Sequence, residues 1–205
     1  KKLSQKVNLD FVEFHLSYQD LNEDPSKFIK KNKLNYSVHC PELFEGDHIL
    51  DLCSPNAKYR KDSIFHLKSV LSHIKKIDKC FIRDQETPPI FIIDVGGWNE
   101  HGFLDKKEKE ERYNLLKDSL SQLDLSFVNL AIQTMPPFPW HFGGQSFHNL
   151  FVSSNEIDKF CRESGFGICL DVSHSMMACN YYGWKLNDFI KKIGKYVKYL
   201  HIVDA

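Results

Sequence analysis

The feature that most constrains the fold of this chain is a repeated pattern in which an apolar segment ends at a polar residue and a helical segment follows. The clearest example runs from Phe166 to Leu170, which predicts a buried strand, and stops at Asp171, with His174 three residues later. Apolar segments elsewhere end in the same way, at His15, His39, Asp94, Gln133 and His201. Carboxylate, imidazole and amide groups in such positions suit a divalent metal ion, or a base with its orienting partner.

Strand and helix patterns alternate along the whole chain, which predicts parallel strands joined by crossover helices. Strands are predicted over residues 11–16, 36–39, 90–94, 127–132, 166–170 and 197–203. An open doubly wound sheet concentrates its polar residues at one switch point, whereas here they follow nearly every strand, which favours a barrel. A complete (β/α)8 barrel needs about 250 residues. We therefore predict an α/β fold, an incomplete TIM barrel of about six strands that lacks the first and the last.

Capping residues predict where three helices begin: Asp24 with Pro25, Ser54 with Pro55, and the capping-box pair Ser153 and Glu156. The helix after Ser54 carries an apolar stripe as far as Ile74. Further helices are predicted over about 106–123 and 186–193, and an irregular segment is predicted around Asn180.

The composition is that of one globular domain. Of the 205 residues, 42% are hydrophobic, and 27 basic residues balance 27 acidic ones. Proteins that bind a nucleic-acid backbone usually carry a basic excess, so this balance disfavours nucleic acid.

No apolar stretch approaches the roughly 20 residues of a membrane helix. The six cysteines show no C-x-x-C spacing, which disfavours a zinc ribbon or a disulfide framework and predicts a reducing, cytoplasmic location. Because the chain starts at Lys1 and ends directly after a strand, we expect residues 1–205 to be a single partial barrel domain, an excerpt of a longer chain.

The chain resembles the xylose isomerase-like TIM barrels, a superfamily of sugar isomerases and epimerases with an apurinic-endonuclease branch. The resemblance covers essentially the whole chain and is carried by His39-Cys40-Pro41, Asp94-Val95-Gly96-Gly97, Asp171-Val172-Ser173-His174 and His201-Ile202-Val203-Asp204. More narrowly, residues 39–43 (HCPEL) and 136–144 (PPFPWHFGG) resemble barrel domains found with nonulosonic, sialic-type acid synthases.

This resemblance implies a metal centre at the strand ends. The epimerase branch implies the ligands Gln133, Asp171 and His201 together with a carboxylate on an eighth strand that the chain lacks. His39 and Asp94 match additional ligand positions of the endonuclease branch, and His174 matches a substrate-contacting or second-metal position. Gln133 departs from the family, which has there a glutamate that also shuttles protons.

Other candidates follow from the residues themselves. Glu13 and His15 lie on one side of an alternating strand, so both could face the barrel lumen. Glu13 is the candidate replacement base, and His15 a candidate substrate contact. Phe138 and Trp140 belong to a stiff, proline-rich aromatic segment that could stack on a sugar ring or, alternatively, cover the barrel mouth or pack on a partner.

Asp204, close behind His201, is a further substrate-binding candidate. Asp94 could be a metal ligand or could accept hydrogen bonds from the turn at Gly96.

We therefore predict a metal-dependent sugar or sugar-phosphate isomerase or epimerase. A divalent ion (manganese, zinc, cobalt or magnesium) would stabilise an enediolate as a Lewis acid, and His174 would orient or protonate a substrate oxygen. The predicted partner is a small-molecule sugar or sugar phosphate, with no membrane and an oligomeric state left open. Two alternatives remain: a metal-dependent phosphoester hydrolase of the apurinic-endonuclease type, using His39, Asp94 and His174, and a non-catalytic barrel module accompanying a sialic-type acid synthase, which Gln133 suggests.

Overall fold

A curled sheet of parallel strands organises the protein. The computed structural model describes residue 9 and residues 11–31, 33–82, 87–141 and 144–202. Within these residues one six-stranded sheet has its strands in chain order: β1 (Phe11–His15), β2 (Asn35–His39), β3 (Ile90–Ile93), β4 (Asn129–Gln133), β5 (Gly167–Asp171) and β6 (Val197–His201). All neighbouring strands are parallel. Parallel strands in unbroken chain order are those of an incomplete (β/α)8 barrel, as predicted, because a doubly wound sheet reverses its order.

Helices cover the outer face of this sheet. In the described part of the chain they are α1 (Ala57–Asp78), α2 (Lys106–Ser121), α3 (Ser154–Ser164), α4 (Val172–Tyr182) and α5 (Leu186–Ile193). Short two-stranded pairs lie in the connections: Leu43–Phe44 with His48–Ile49, Trp98–Asn99 with Phe147–His148, and Trp140–His141 with Gly144–Gln145. No helix of the described residues is both long and apolar enough to cross a membrane.

Several predicted helix boundaries need correction. The turn after Asp24 is a three-residue 3-10 helix, Pro25–Lys27, and not an α-helix. The cap of α1 is Asn56, whose side chain accepts from two backbone N–H groups, so this helix begins later than predicted. The predicted capping box of α3 does not form, because Glu156 turns to the ammonium group of Lys109, 3.3 Å away.

The segment around Asn180, predicted to be irregular, is helical. It belongs to α4, which begins directly after β5 and ends at Tyr182, followed by Gly183 in the left-handed conformation. Met176 and Met177 are exposed side by side on this helix, so its sequence lacks the clean apolar stripe that predicts an amphipathic helix.

Strand side chains alternate between two apolar layers. The larger core lies between the sheet and the helices and includes Phe91 and Ile93. The smaller one is a lumen layer of Ile92, Ala131 and Cys169, packed against Ile90 and Tyr199. Because side chains two residues apart in a strand share one face, Gln133 and Asp171 lie one step further along this lumen face. The lumen layer therefore forms an apolar floor beneath the polar strand ends.

The sheet curls until its two edge strands meet across the lumen. The rings of Phe11 on β1 and Tyr199 on β6 lie 5.9 Å apart between centroids. Within the sheet, His15 pairs in register with His39, and Asp171 with His201. Histidines and a carboxylate from both edges and from the middle of the sheet thus share one level of the barrel.

Candidate active site

A cavity of about 820 Å³ opens at the C-terminal ends of the strands. Five of the six described barrel strands line it, since β3 contributes no residue. The lining includes seven residues that the sequence analysis selected: Glu13, His15, His39, Gln133, Asp171, His174 and His201. The predicted convergence of strand ends is therefore present, and it lies where TIM-barrel enzymes have their active sites.

Asp171 divides its two carboxylate oxygens between a helix cap and the cavity. Its Oδ1 accepts from the backbone N–H of His174 (2.9 Å) and from the hydroxyl of Ser173 (2.7 Å), which caps α4. Its Oδ2 accepts from the amide nitrogen of Gln133 (3.1 Å) and lies 3.8 Å from Nδ1 of His201. The capping role and a role in the site are therefore compatible in one side chain.

Gln133 is held between two partners that determine its orientation. Its Nε2 donates to Asp171, which can only accept, so Oε1 must be the atom that lies 2.8 Å from Nε2 of His39. The amide oxygen, which is the only metal-binding atom of a glutamine, is thus already an acceptor for His39. Burial lowers the pKa of His39, although its bonds to Gln133 and to the Cys40 carbonyl partly oppose this.

His174 has a defined tautomer. Its Nδ1 lies 2.9 Å from the carbonyl oxygen of Thr134, and because a carbonyl oxygen only accepts, Nδ1 carries the hydrogen. In the neutral ring Nε2 therefore has a free lone pair. The hydroxyl of Thr134 in turn accepts from the backbone N–H of Asp171 (2.9 Å), which ties β4 to β5 at this level.

Glu13 is the centre of a second polar cluster, formed by the two edge strands. Its Oε1 lies 2.5 Å from Nε2 of His15, and both of its oxygens lie 3.3 Å from Nε2 of His201. Ser37 donates to Oε2 from 3.3 Å. The ring of His15 stacks on that of His39, with centroids 4.5 Å apart and planes 10° from parallel.

The electrostatics of this cluster favour an ionised Glu13. Burial alone would raise the pKa of Glu13, but hydrogen bonds from His201 and Tyr199 outweigh it and lower this pKa to about 2. The same bond raises the pKa of His201. The role of Glu13 as the replacement base stays a prediction.

Asp94 lies outside the set of residues that line the cavity. Its Oδ1 accepts from the backbone N–H of Gly96 (3.0 Å) and lies 3.8 Å from Nε2 of the buried His148. Burial, and then the charge of Glu42, raise the pKa of Asp94 well above its usual value. Of the two roles expected for Asp94, the structure contains the turn contact, and the metal-ligand role stays a prediction.

Phe138 does not join the cavity lining. The ring of Phe138 packs in a separate cluster, 5.3 Å from that of Phe103 and 4.7 Å from that of Tyr181. The stacking of Phe138 on a sugar stays a prediction. Trp140 is described only as backbone, paired with Gln145 in a short hairpin, and Asp204 lies outside the described residues.

Two residues of the site, Ser37 and Tyr199, were not predicted from the sequence. The hydroxyl of Ser37 lies 3.1 Å from that of Tyr199, and both hydroxyl groups contact Glu13. Each lies two positions before a selected histidine, His39 or His201, so the two-residue period of a strand could have identified both.

Solved structures with similar folds include an epimerase-like protein, a sugar epimerase and an endonuclease. A D-tagatose 3-epimerase-like protein is 16% identical (TM-score 0.61), covering 99% of this chain and 70% of its own. L-ribulose 3-epimerase is 12% identical (TM-score 0.62), covering 99% and 62%. Endonuclease IV from Thermus thermophilus is 12% identical (TM-score 0.51), covering 93% and 75%. The chain thus spans roughly two thirds of the length of these proteins, and at such identities the likeness concerns the fold.

Comparison with curated proteins finds no match by sequence. A family model described as xylose isomerase-like TIM barrel, in contrast, matches residues 2–205. This match agrees with the sheet order of the structure and with the folds of the similar structures. The chain therefore belongs to the xylose isomerase-like TIM barrel family.

Proposed function

We propose that the protein is a metal-dependent sugar or sugar-phosphate isomerase or epimerase. The observation that carries this proposal is the convergence of carboxylate, imidazole and amide groups from five strands in one cavity at the C-terminal end of the barrel. The volume of about 820 Å³ lies within the range of small-molecule sites. The similar folds of sugar epimerases support a sugar as the substrate.

The donor atoms fit a divalent metal ion in part. Oδ2 of Asp171 and Nδ1 of His201 are 3.8 Å apart, and two atoms bound to one ion at 2.0–2.2 Å lie at most about 4.3 Å apart. Gln133 fits less well, since its oxygen accepts from His39 and its nitrogen faces Asp171. A bound ion would supply Lewis-acid stabilisation of the enediolate that forms when a carbon-bound proton leaves.

His174 is the residue we assign to proton transfer. Thr134 holds its Nδ1–H, so the lone pair on Nε2 is available to accept a proton from the substrate and to return it. The side chain is 25% exposed and lines the cavity, so a bound sugar can reach it. We assign to Glu13 the role of an anion that attracts and orients cationic partners.

The predicted phosphoester hydrolase is less well supported. Its additional metal ligands include Asp94, which contacts Gly96 and His148 instead of lining the cavity. The balance of 27 basic and 27 acidic residues also provides no excess of positive charge for a nucleic-acid backbone.

Hydrogen exchange tests the proposed function directly. The protein, loaded in turn with Mn²⁺, Zn²⁺, Co²⁺ or Mg²⁺, is incubated in D₂O with ketopentoses, ketohexoses and their phosphates, and NMR follows deuterium entry at carbon. We expect exchange and isomer formation with at least one sugar, and a loss of about 10²–10⁴-fold in His174→Asn. His101→Asn, an exposed histidine outside the cavity lining, is the matched control and should retain full rate. A folded, metal-loaded protein that exchanges no sugar proton would refute the proposal.

A further inference from the structure

We propose that His15 is a second proton-transfer residue opposite His174, and that the site therefore inverts a carbon next to the substrate carbonyl, which is epimerisation. Glu13 is the positioning residue that orients the His15 ring. This inference rests on the proposed function and narrows it, because one base is enough for aldose–ketose isomerisation. Inversion calls for one group that takes the proton on one face of the carbon and another that supplies a proton on the opposite face.

The first argument is the tautomer of His15. Its Nε2 lies 2.5 Å from Oε1 of Glu13. A carboxylate only accepts, so Nε2 carries the hydrogen of this bond, and the neutral ring keeps its lone pair on Nδ1. A carboxylate in this position fixes the tautomer and orientation of a catalytic histidine, and it stabilises the imidazolium that forms when the ring takes a proton. Glu13 thus orients His15 as a base.

The second argument is that His39, although it lines the same cavity, has no ring nitrogen available. Its Nδ1 lies 3.0 Å from the carbonyl oxygen of Cys40, and its Nε2 lies 2.8 Å from Oε1 of Gln133. Both oxygens belong to amide groups, which accept hydrogen bonds at oxygen. Gln133 itself cannot transfer a proton, so another residue of the cavity has to do so.

His201 is likewise committed to protein partners. Its Nε2 lies 3.3 Å from both carboxylate oxygens of Glu13, and its Nδ1 lies 3.8 Å from Oδ2 of Asp171. Four histidines line the cavity. Within the described part of the chain, His15 and His174 are therefore the two that keep a ring nitrogen without a protein partner.

The third argument is that the two bases lie on different walls of the cavity. His15 ends β1 and His174 follows β5, and three strands lie between them in the sheet. A row of contacts connects them, since the His15 ring stacks on that of His39 and Nε2 of Gln133 lies 3.5 Å from Nδ1 of His174. Both bases are accessible, with side chains 67% and 25% exposed. Because the sheet curls, a ligand between β1 and β5 would meet them from two sides.

The proposed reaction balances without a further reactant. Nε2 of neutral His174 takes the proton from the carbon next to the carbonyl, and the electron pair of the broken C–H bond forms the enediolate. His15, as the imidazolium, gives the proton on Nδ1 to the opposite face of the same carbon, and the carbonyl forms again. The reverse reaction exchanges the two roles, and exchange of the ring protons with water resets the site.

Deuterium labelling of each epimer separately tests this assignment. The substrates are the ketopentose or ketohexose epimers that the metal-loaded, unsubstituted protein interconverts, each offered alone in D₂O, and NMR follows deuterium entry and inversion. Inversion should fall by about 10²–10⁴-fold in both His15→Asn and His15→Gln. His15→Asn should still deuterate one epimer without inverting it, through His174, and His174→Asn should deuterate only the other epimer. The exposed control His101→Asn, outside the cavity lining, should behave as the unsubstituted protein.

Glu13→Gln tests the orienting role. This variant keeps an oxygen that can accept from His15 but removes the charge. Deuterium entry that depends on His15 should fall more than about 10-fold, whereas entry that depends on His174 should not change. An equal loss for both epimers would show that Glu13 supports the cavity as a whole and does not act through His15.

Three results would overturn the inference. The His15 variants could invert the substrate at full rate, or they could lose deuterium entry into both epimers equally while folded by circular dichroism, which is the result of a structural role. The unsubstituted protein could also convert ketoses only into aldoses, which needs one base. All three results leave the proposed function standing. An unsubstituted, metal-loaded protein that exchanges no sugar proton would instead refute the proposed function, and this inference with it.

Discussion

Replacing Gly96 by alanine should destabilise the protein through a steric clash with a neighbouring segment. Gly96 has a φ of +82°, and a Cβ added there would lie 2.4 Å from Oδ1 and 2.5 Å from Cα of Asp51. The Cα cannot rotate away as the end of a side chain could. Asp51 is also held by its own bonds, since Oδ1 accepts from Cys53 (3.1 Å) and from the backbone N–H of Gly97 (3.2 Å).

The magnitude follows from two contributions. A left-handed conformation costs an alanine about 1–2 kcal/mol, and overpacking of a closely packed site costs about 1–3 kcal/mol. Gly96→Ala should therefore lower the free energy of unfolding by about 2–5 kcal/mol. For a chain of this size, each kcal/mol shifts the Tm by about 2–4 °C, so the Tm should fall by about 4–20 °C.

Gly46→Ala is the matched control. Gly46 has nearly the same φ, +75°, but a Cβ there would meet no heavy atom within 4 Å. This variant isolates the backbone contribution and should cost only about 1–2 kcal/mol. Both variants are compared with the unsubstituted protein by urea and thermal unfolding. If Gly96→Ala is no less stable than Gly46→Ala, the close packing against Asp51 does not exist.

Three other changes test the packing and electrostatics elsewhere. Burial raises the pKa of Glu156, although Lys109 opposes it, so this carboxyl contributes stability at low pH that is lost as the pH rises above about 4.5. The Tm of the unsubstituted protein relative to that of Glu156→Gln should therefore be higher at pH 4.5 than at pH 8. A Tm difference that stays constant with pH would contradict the shift. Tyr199→Phe removes a hydroxyl that bonds Glu13 and should cost about 1 kcal/mol in urea unfolding; unchanged stability would show that this bond contributes nothing. Ile92→Ala opens a space in the fully buried lumen layer and should cost about 2–5 kcal/mol, whereas a loss below about 1 kcal/mol would mean that the layer is loosely packed.

The location of the site could be predicted because it follows from topology. Parallel strands joined by crossover helices all end at the same edge of the sheet, so polar residues such as His39, Asp171 and His201 had to lie near one another once the strands were identified. The period of two in β1 likewise predicted that Glu13 and His15 share the lumen side, and both line the cavity.

The roles of individual side chains could not be predicted in this way. Asp94 occupies a strand end like the others, yet its carboxylate turns to the backbone of Gly96, because a glycine turn offers an N–H group at 3.0 Å. Phe138 was predicted to stack on a sugar, cover the barrel mouth or pack on a partner, and the sequence did not indicate that its ring would lie against those of Phe103 and Tyr181. Such choices depend on neighbours that are distant in sequence.

By itself, the sequence determined the order of the strands, the edge of the barrel that carries the site and the residue types available there, because these depend on local periodicity. Only the tertiary structure decided that Glu13 meets His201, 188 residues away, and that Gln133 directs its nitrogen to Asp171 and its oxygen to His39. The curl of the sheet sets the first contact and hydrogen-bond complementarity sets the second. Neither property is encoded within a short segment of the chain.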